Sequence, residues 1–162
     1  MKFRAIRDRL IALGAIGVIL ALDAVTKQWA LRALKNAPYS TQGAIDGLFR
    51  FRFAWNTGAA FSFLSGAPHV VTALSIVLLA LLCVVIFLPP REKLMDRLCL
   101  SMVLAGGAGN LINRLAYGAV VDFIELQFMS FPVFNVADIS VVSGAILYAV
   151  SACFPLKKGG VK

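Results

Sequence analysis

From Val70 to Leu88 no charged residue interrupts the chain, and the run stops at Pro89-Pro90, which cannot continue a helix. Three other stretches approach the ~20 residues needed to cross a hydrocarbon core. They run from about residue 10 to 31, 98 to 115 and 136 to 154, beside the 70–88 run itself. In a chain of 162 residues, 60% hydrophobic and with a mean hydropathy of +0.84, a water-soluble core cannot hide that much apolar surface. The same composition excludes a disordered chain, a solenoid and a disulfide scaffold. The expected fold is a single membrane domain over residues 1–162. It is an all-α bundle of four transmembrane helices with a small β-sheet cradle over about residues 40–67.

The basic residues set the direction of the spans. Lys2, Arg4, Arg7, Arg9, Arg91, Lys93, Arg97, Lys157, Lys158 and Lys162 fall on one side, and Lys27, Arg32, Lys35, Arg50, Arg52 and Arg114 on the other. The positive-inside rule then places both termini in the cytoplasm. A pI of 9.9 therefore reflects membrane orientation and not nucleic acid. The basic, then apolar, start has the look of a signal peptide, but Asp23 and Lys27 interrupt the place where cleavage would fall. It reads as a retained first helix.

Metal chemistry finds no ligand set. Cys83, Cys99 and Cys153 lie in apolar stretches without C-x-x-C spacing, and His69 is the only histidine. The cysteines read as buried apolar filler, and His69 as an interfacial residue at the start of the second span.

The long segment on the far side, residues 32–67, has a period of two. Phe49, Phe51, Phe53 and Trp55 alternate with Leu48, Arg50, Arg52 and Ala54, which predicts a strand with one aromatic and one arginine-bearing face. Asn56-Thr57-Gly58 supplies a turn, and Ala59 to Leu64 can return as a second strand. The other far-side segment, residues 116–135, is short and rich in Phe and Val.

Carboxylates inside the spans are costly and mark function. Asp8, Glu92 and Asp96 lie among the cytoplasmic basic clusters as solvated charges, and Asp46 beside Gly47 reads as a turn residue. Asp23 lies about 20 Å along the first helix from Leu10, at 1.5 Å per residue. Asp138 stands about one turn inside the fourth span, and Asp122 follows a helix stop at Gly118. All three converge on one level of the bilayer. Asn110, Asn113, Arg114 and Asn135 reach that level too, Asn110 and Arg114 on one helix face at i, i+4. Lys27 is i+4 from Asp23, a favourable order. Gly106, Gly107 and Gly109 let the third span approach its neighbours.

Asp122 and Asp138 have no cation within one helical turn in sequence. Two close carboxylates in a poorly solvated place share one proton. The ionised partner then accepts a proton from water while the protonated one donates to a carbonyl oxygen or a leaving amine. This is aspartic-protease chemistry at the outer membrane surface, and it needs no cofactor. A Ser62–Lys27 dyad is a weaker nucleophilic alternative. A proton-coupled transporter would put its polar groups at the midplane in repeated halves, and no internal repeat is evident. A non-catalytic lipid-binding scaffold would tolerate neutral replacement of either aspartate.

Five motifs in order carry a resemblance: D-A-V-T-K at 23–27, W-N-T-G-A-A-F-S at 55–62, G-G-A-G-N-L-I-N-R at 106–114, V-V-D-F-I at 120–124 and F-N-V-A-D at 134–138. With four spans they make the chain resemble the bacterial lipoprotein signal peptidases, also called signal peptidase II. The resemblance implies that Asp122 and Asp138 form the catalytic dyad. It implies that Asn56, Gly58, Asn110, Arg114 and Asn135 line or support the site, braced by Asp23 and Lys27. The implied substrate is a prolipoprotein whose signal peptide is cut just before a diacylglyceryl-modified cysteine. The implied setting is the bacterial inner membrane, with the site near the periplasmic face under the cradle. Membrane lipid and a cyclic peptide inhibitor, globomycin, are the implied further partners, and a monomer suffices. Two positions depart from the family pattern. Ala24 stands where Gln is frequent, and Asn113 where Asp is frequent, which removes a salt-bridge partner expected for Arg114. Glu125 receives no role from the resemblance.

Overall fold

The computed structural model describes residues 2–36, 42–58, 67–87 and 94–154. Four helices in it are long and apolar enough to cross a membrane. They are α1 (Lys2–Ala33), α2 (Pro68–Phe87), α3 (Leu94–Tyr117) and α4 (Val136–Cys153). Three strands, β1 (Gln42–Ile45), β2 (Phe49–Asn56) and β3 (Val120–Leu126), form one antiparallel sheet in that order. The helical bundle with a small sheet is the architecture expected from the sequence.

Apolar side chains point outward along the helices. Leu74, Val77, Leu78 and Leu81 of α2 are all more than half exposed. Water would penalise such a surface, whereas lipid solvates it. The interior is held by close backbone approach instead. A Cβ on Gly144 would sit 2.6 Å from the Cys99 carbonyl, and one on Gly106 would strike the Ala137 carbonyl. Glycines therefore seat α3 on α4.

Gly118, at φ +72°, ends α3 in the left-handed region and turns the chain into β3. The stop predicted there is present. The sheet differs from expectation in its partners. β2 pairs with β1 on one side and with β3 on the other, Arg50 standing opposite Glu125 and Asn56 opposite Val120. The return strand expected over 59–64 lies outside the described residues. β3 was hidden because Asp122 interrupts its apolar run, so no period of two was visible. Its inner side chains, Val121 and Phe123, pack on Ala30 and Leu34 at the end of α1. Trp29 meets Phe51 edge-on at 5.1 Å and Phe123 at 5.9 Å, which fastens the aromatic face of the sheet to the bundle.

At the opposite end, two readings change. Asp8, expected to be solvated, is buried, with one carboxylate oxygen accepting from Arg7. Arg97 is buried too and donates to the Ile86 carbonyl, which would otherwise be an orphan in the last turn of α2. Of the cysteines only Cys99 is buried, while Cys83 and Cys153 are exposed on helix surfaces. In a bilayer the outer surface is as apolar as the interior, so an apolar neighbourhood in sequence does not imply burial. Asp46 does occupy the β1–β2 turn, and His69 is exposed at the start of α2.

Candidate active site

The site begins with α1. Asp23 and Lys27, one turn apart, form a buried ion pair at 2.8 Å. Neither charge is left to that pair alone. Lys27 Nζ also donates to Asn110 Oδ1 of α3 at 2.8 Å, and Asp23 Oδ1 accepts from the backbone N–H of Ala137 at 3.1 Å. That N–H belongs to the first turn of α4, where helical donors lack intrahelical partners. The pair thus stitches α1 to both neighbours.

Asn135 is the N-cap of α4, and Asp138 occupies the third helical position after it. Their side chains form a reciprocal capping box: Asp138 N–H donates to Asn135 Oδ1 at 2.9 Å, and Asn135 N–H donates to Asp138 Oδ2 at 3.0 Å. The same Asn135 donates through Nδ2 to Asp122 Oδ1 at 2.6 Å. One residue therefore grips both aspartates. Asn110 completes the ring, donating to Asp138 Oδ1 at 2.7 Å and accepting from Asn135 at 3.1 Å.

Asp122 arrives from β3, whose position is fixed by the Asn113 side chain accepting from Val121 N–H at 3.1 Å. This is the role the structure gives to Asn113, in place of any pairing with Arg114. The second Asp122 oxygen accepts from Asn56 Nδ2 of β2 at 3.0 Å. Asn56 Oδ1 in turn accepts from Gly58 N–H at 3.0 Å, and Arg114 donates to the Gly58 carbonyl at 2.7 Å. Asp23, Lys27, Asn56, Gly58, Asn110, Arg114, Asp122, Asn135 and Asp138 are thereby gathered at one end of the bundle. Ser62 lies outside the described residues, and Lys27 is already bound to Asp23 and Asn110.

The electrostatics of the two aspartates differ. Asp122 is 1% exposed. Burial first, and then the nearby negative charge of Asp138, push its carboxyl up to about 7 against the hydrogen bonds from Asn56 and Asn135. Asp138 is half-buried in the first turn of α4, where the Asn135 backbone N–H donates to its carboxylate. It opens onto a cavity of about 570 Å³ with Asn56, Asn110 and Arg114, walled by the apolar side chains of Leu126, Phe131 and Phe134. The 131–134 segment, part of the outer stretch rich in Phe and Val, supplies part of that wall, and its antiparallel bridge between Phe134 and Ile124 carries no local signal in the sequence.

Glu125 also acquires a setting. It faces Arg50 across the sheet and pairs with both Arg50 and Arg52, the latter at 3.1 Å. The hydrogen bond from Arg50, chiefly, holds its carboxyl below the ordinary glutamate range.

Comparison with known proteins gives the family. The family model for signal peptidase II matches residues 15–154. The chain belongs to the signal peptidase II family. It is similar to the lipoprotein signal peptidase of Nostoc punctiforme, 36% identical over 149 residues that cover 92% of each chain. To the lipoprotein signal peptidase of Clostridium acetobutylicum it is 38% identical over 140 residues, covering 84% of this chain and 88% of that one. A bacterial membrane enzyme solved at 2.3 Å superposes with a TM-score of 0.81 at 26% identity, covering 94% of this chain and 93% of the other. Membership of a signal peptidase family and four apolar helices make this a multi-pass bacterial membrane peptidase.

Proposed function

We propose that the protein is an aspartic endopeptidase that removes signal peptides from diacylglyceryl-modified prolipoproteins, cutting just before the lipidated cysteine. The observation that carries the reading is that Asn135 bridges the two aspartates, its side chain donating to the Asp122 carboxylate and its backbone N–H to that of Asp138. Asp138, at the helix N-terminus, accepts a proton from the attacking water. Asp122, with its carboxyl near 7, is the proton donor to the scissile carbonyl oxygen. The tetrahedral diol then collapses as a proton passes to the leaving amine, and the carbon–nitrogen bond breaks. Asn56, Asn110, Asn135 and Arg114 position the pair and the peptide backbone, with Gly58 held by Arg114. Asp23 and Lys27 brace the helices that carry them.

The apolar cavity wall suits the signal peptide and the lipid chains of the substrate. A diacylglyceryl group anchored in the bilayer holds the cysteine at the level of the aspartates, which raises its effective concentration. An unlipidated precursor is therefore a poor substrate. The excess of basic residues near both termini supports a cytoplasmic position for them, and a periplasmic position for the site and the sheet above it. A monomer contains every group this chemistry uses, and a globomycin-like cyclic peptide would compete for the same cavity.

The test is cleavage of a diacylglyceryl-modified precursor by wild type, Asp122→Asn and Asp138→Asn. Both variants should fold, bind precursor and lose at least about a hundredfold in kcat. Full cleavage by either variant would overturn the dyad, and precursor binding without cleavage by wild type would mark a scaffold.

A further inference from the structure

The face of the sheet turned away from the cavity carries a second constellation that the cleavage chemistry does not use. In the β2–β3 register Phe49 stands opposite Leu126 and Phe51 opposite Ile124. Leu126 lines the cavity together with Val120, and by alternation along β3 Asp122 and Ile124 face the same way. Arg50 and Glu125, opposite each other, project from the other face, and Arg52 reaches the same carboxylate. Glu125 is largely covered, at 15% exposure, while the two arginine side chains remain 40% and 46% exposed.

Both guanidiniums are held by their Nε atoms, one on each Glu125 oxygen. Their terminal nitrogens make no hydrogen bond among the described residues, and the trio keeps a net positive charge. Two planar forks fixed side by side by one carboxylate suit the tetrahedral oxygens of a phosphodiester. The setting identifies its source. β3 begins three residues after the end of α3, so the sheet lies at the end of the membrane spans. At that same end Trp55 packs on Tyr117 at 5.7 Å and Lys35 stands 5.7 Å from the Trp55 ring centroid. Tryptophan, tyrosine and lysine are the side chains that anchor proteins in the headgroup layer.

We infer that Arg50 and Arg52, oriented by Glu125, form a clasp for the phosphodiester of an anionic membrane lipid, which seats the sheet on the bilayer. A lipid held there leaves the cavity on the opposite face open.

The experiment counts lipids bound to the detergent-purified full chain by native mass spectrometry, which needs no peptidase activity and so stands apart from the cleavage assay. Dioleoylphosphatidylglycerol is compared with dioleoylphosphatidylcholine. Wild type should retain the anionic lipid about tenfold better. Arg50→Gln/Arg52→Gln should bring the two lipids close to parity. If that variant misfolds because Glu125 is left alone, the variant that adds Glu125→Gln carries the same expectation without an orphaned charge. Arg50→Lys/Arg52→Lys keeps the charge but not the forks, and should lose most of the preference. Lys2→Gln/Arg4→Gln, at the other end of the bundle, should leave it unchanged. The clasp is overturned if wild type shows no preference, if the neutral variants keep it, or if the lysine variant keeps it in full. Displacement of the lipid by millimolar inorganic phosphate would assign the site to free phosphate and overturn the lipid reading.

Discussion

At the scale of single residues, the proposed proton donor makes a measurable demand on stability. Asp122 has an ordinary carboxyl value of 3.8 in an unfolded chain and about 7 in the fold. Between those values the native state binds more protons than the unfolded state, so stability falls as pH rises through the window. Above about 7 the carboxyl is ionised in both states and the loss is complete. Asp122→Asn removes this titration. Thermal unfolding in detergent should show the variant gaining on wild type from about pH 4 to 7, with a constant difference above that. The full swing is on the order of 2–4 kcal/mol. A difference independent of pH would mean that Asp122 keeps an ordinary carboxyl value. The same titration sets the alkaline limb of catalysis, and cleavage should decline as pH passes about 7 because the donor proton is gone.

Individual elements carry the next level of organisation, above all the first turn of α4. Asn135 caps that helix and donates to Asp122, so a single side chain couples helix stability to site geometry. Asn135→Ala should cost about 2–3 kcal/mol, summing a lost cap and a buried acceptor left short of a donor. It should also reduce kcat by more than it raises KM, since the aspartates rather than the binding wall lose their register. Asn135→Asp restores a cap but brings a third carboxylate to the pair, and should recover stability at low pH without recovering cleavage. Urea unfolding and steady-state kinetics on the two variants separate the roles. Recovery of both stability and cleavage in Asn135→Asp would leave Asn135 as a cap alone.

The same scale shows what was legible beforehand. The helices were plain from apolar runs, the strand at Phe49–Asn56 from its alternation, and the helix stop from Gly118. The polar residues of the site could be assembled because each lies near the same end of its span, a depth argument that requires only 1.5 Å per residue. β3 was not legible, since Asp122 breaks its pattern and its partner lies more than sixty residues away in β2. Glu125 was opaque for a related reason: its partners Arg50 and Arg52 become neighbours only once the register of two distant strands is known. Asn113 had been set beside Arg114 by proximity in sequence, whereas consecutive helical residues face different ways and its side chain turns to Val121.

Across the whole molecule, the polar network sits where three helices converge, and α2 stands outside it, packed on α3 alone among the helices to any extent. Two neighbouring glycines on α3 separate these packings. A Cβ on Gly107 would meet the tip of Leu79 on α2 at 2.6 Å, and a leucine end on a lipid-facing helix can rotate away. A Cβ on Gly109 would collide with Asp23 Oδ2, the oxygen that binds Lys27. That oxygen cannot yield without breaking a buried ion pair, and its partner oxygen holds the Ala137 N–H. Breaking a buried pair from one side costs about 3–5 kcal/mol, because the remaining charge is left uncompensated in a dry place. Gly109→Ala should therefore destabilise by a few kcal/mol and depress cleavage by at least about tenfold, while Gly107→Ala shifts either by little. The coupling to Asp23 is checked by a double-mutant cycle. Asp23→Ala makes room at the collision point, so Gly109→Ala added to it should cost far less than it does alone. Additive losses in that cycle would mean that the glycine is required for some other contact, and that the ion pair is not what α3 closes upon.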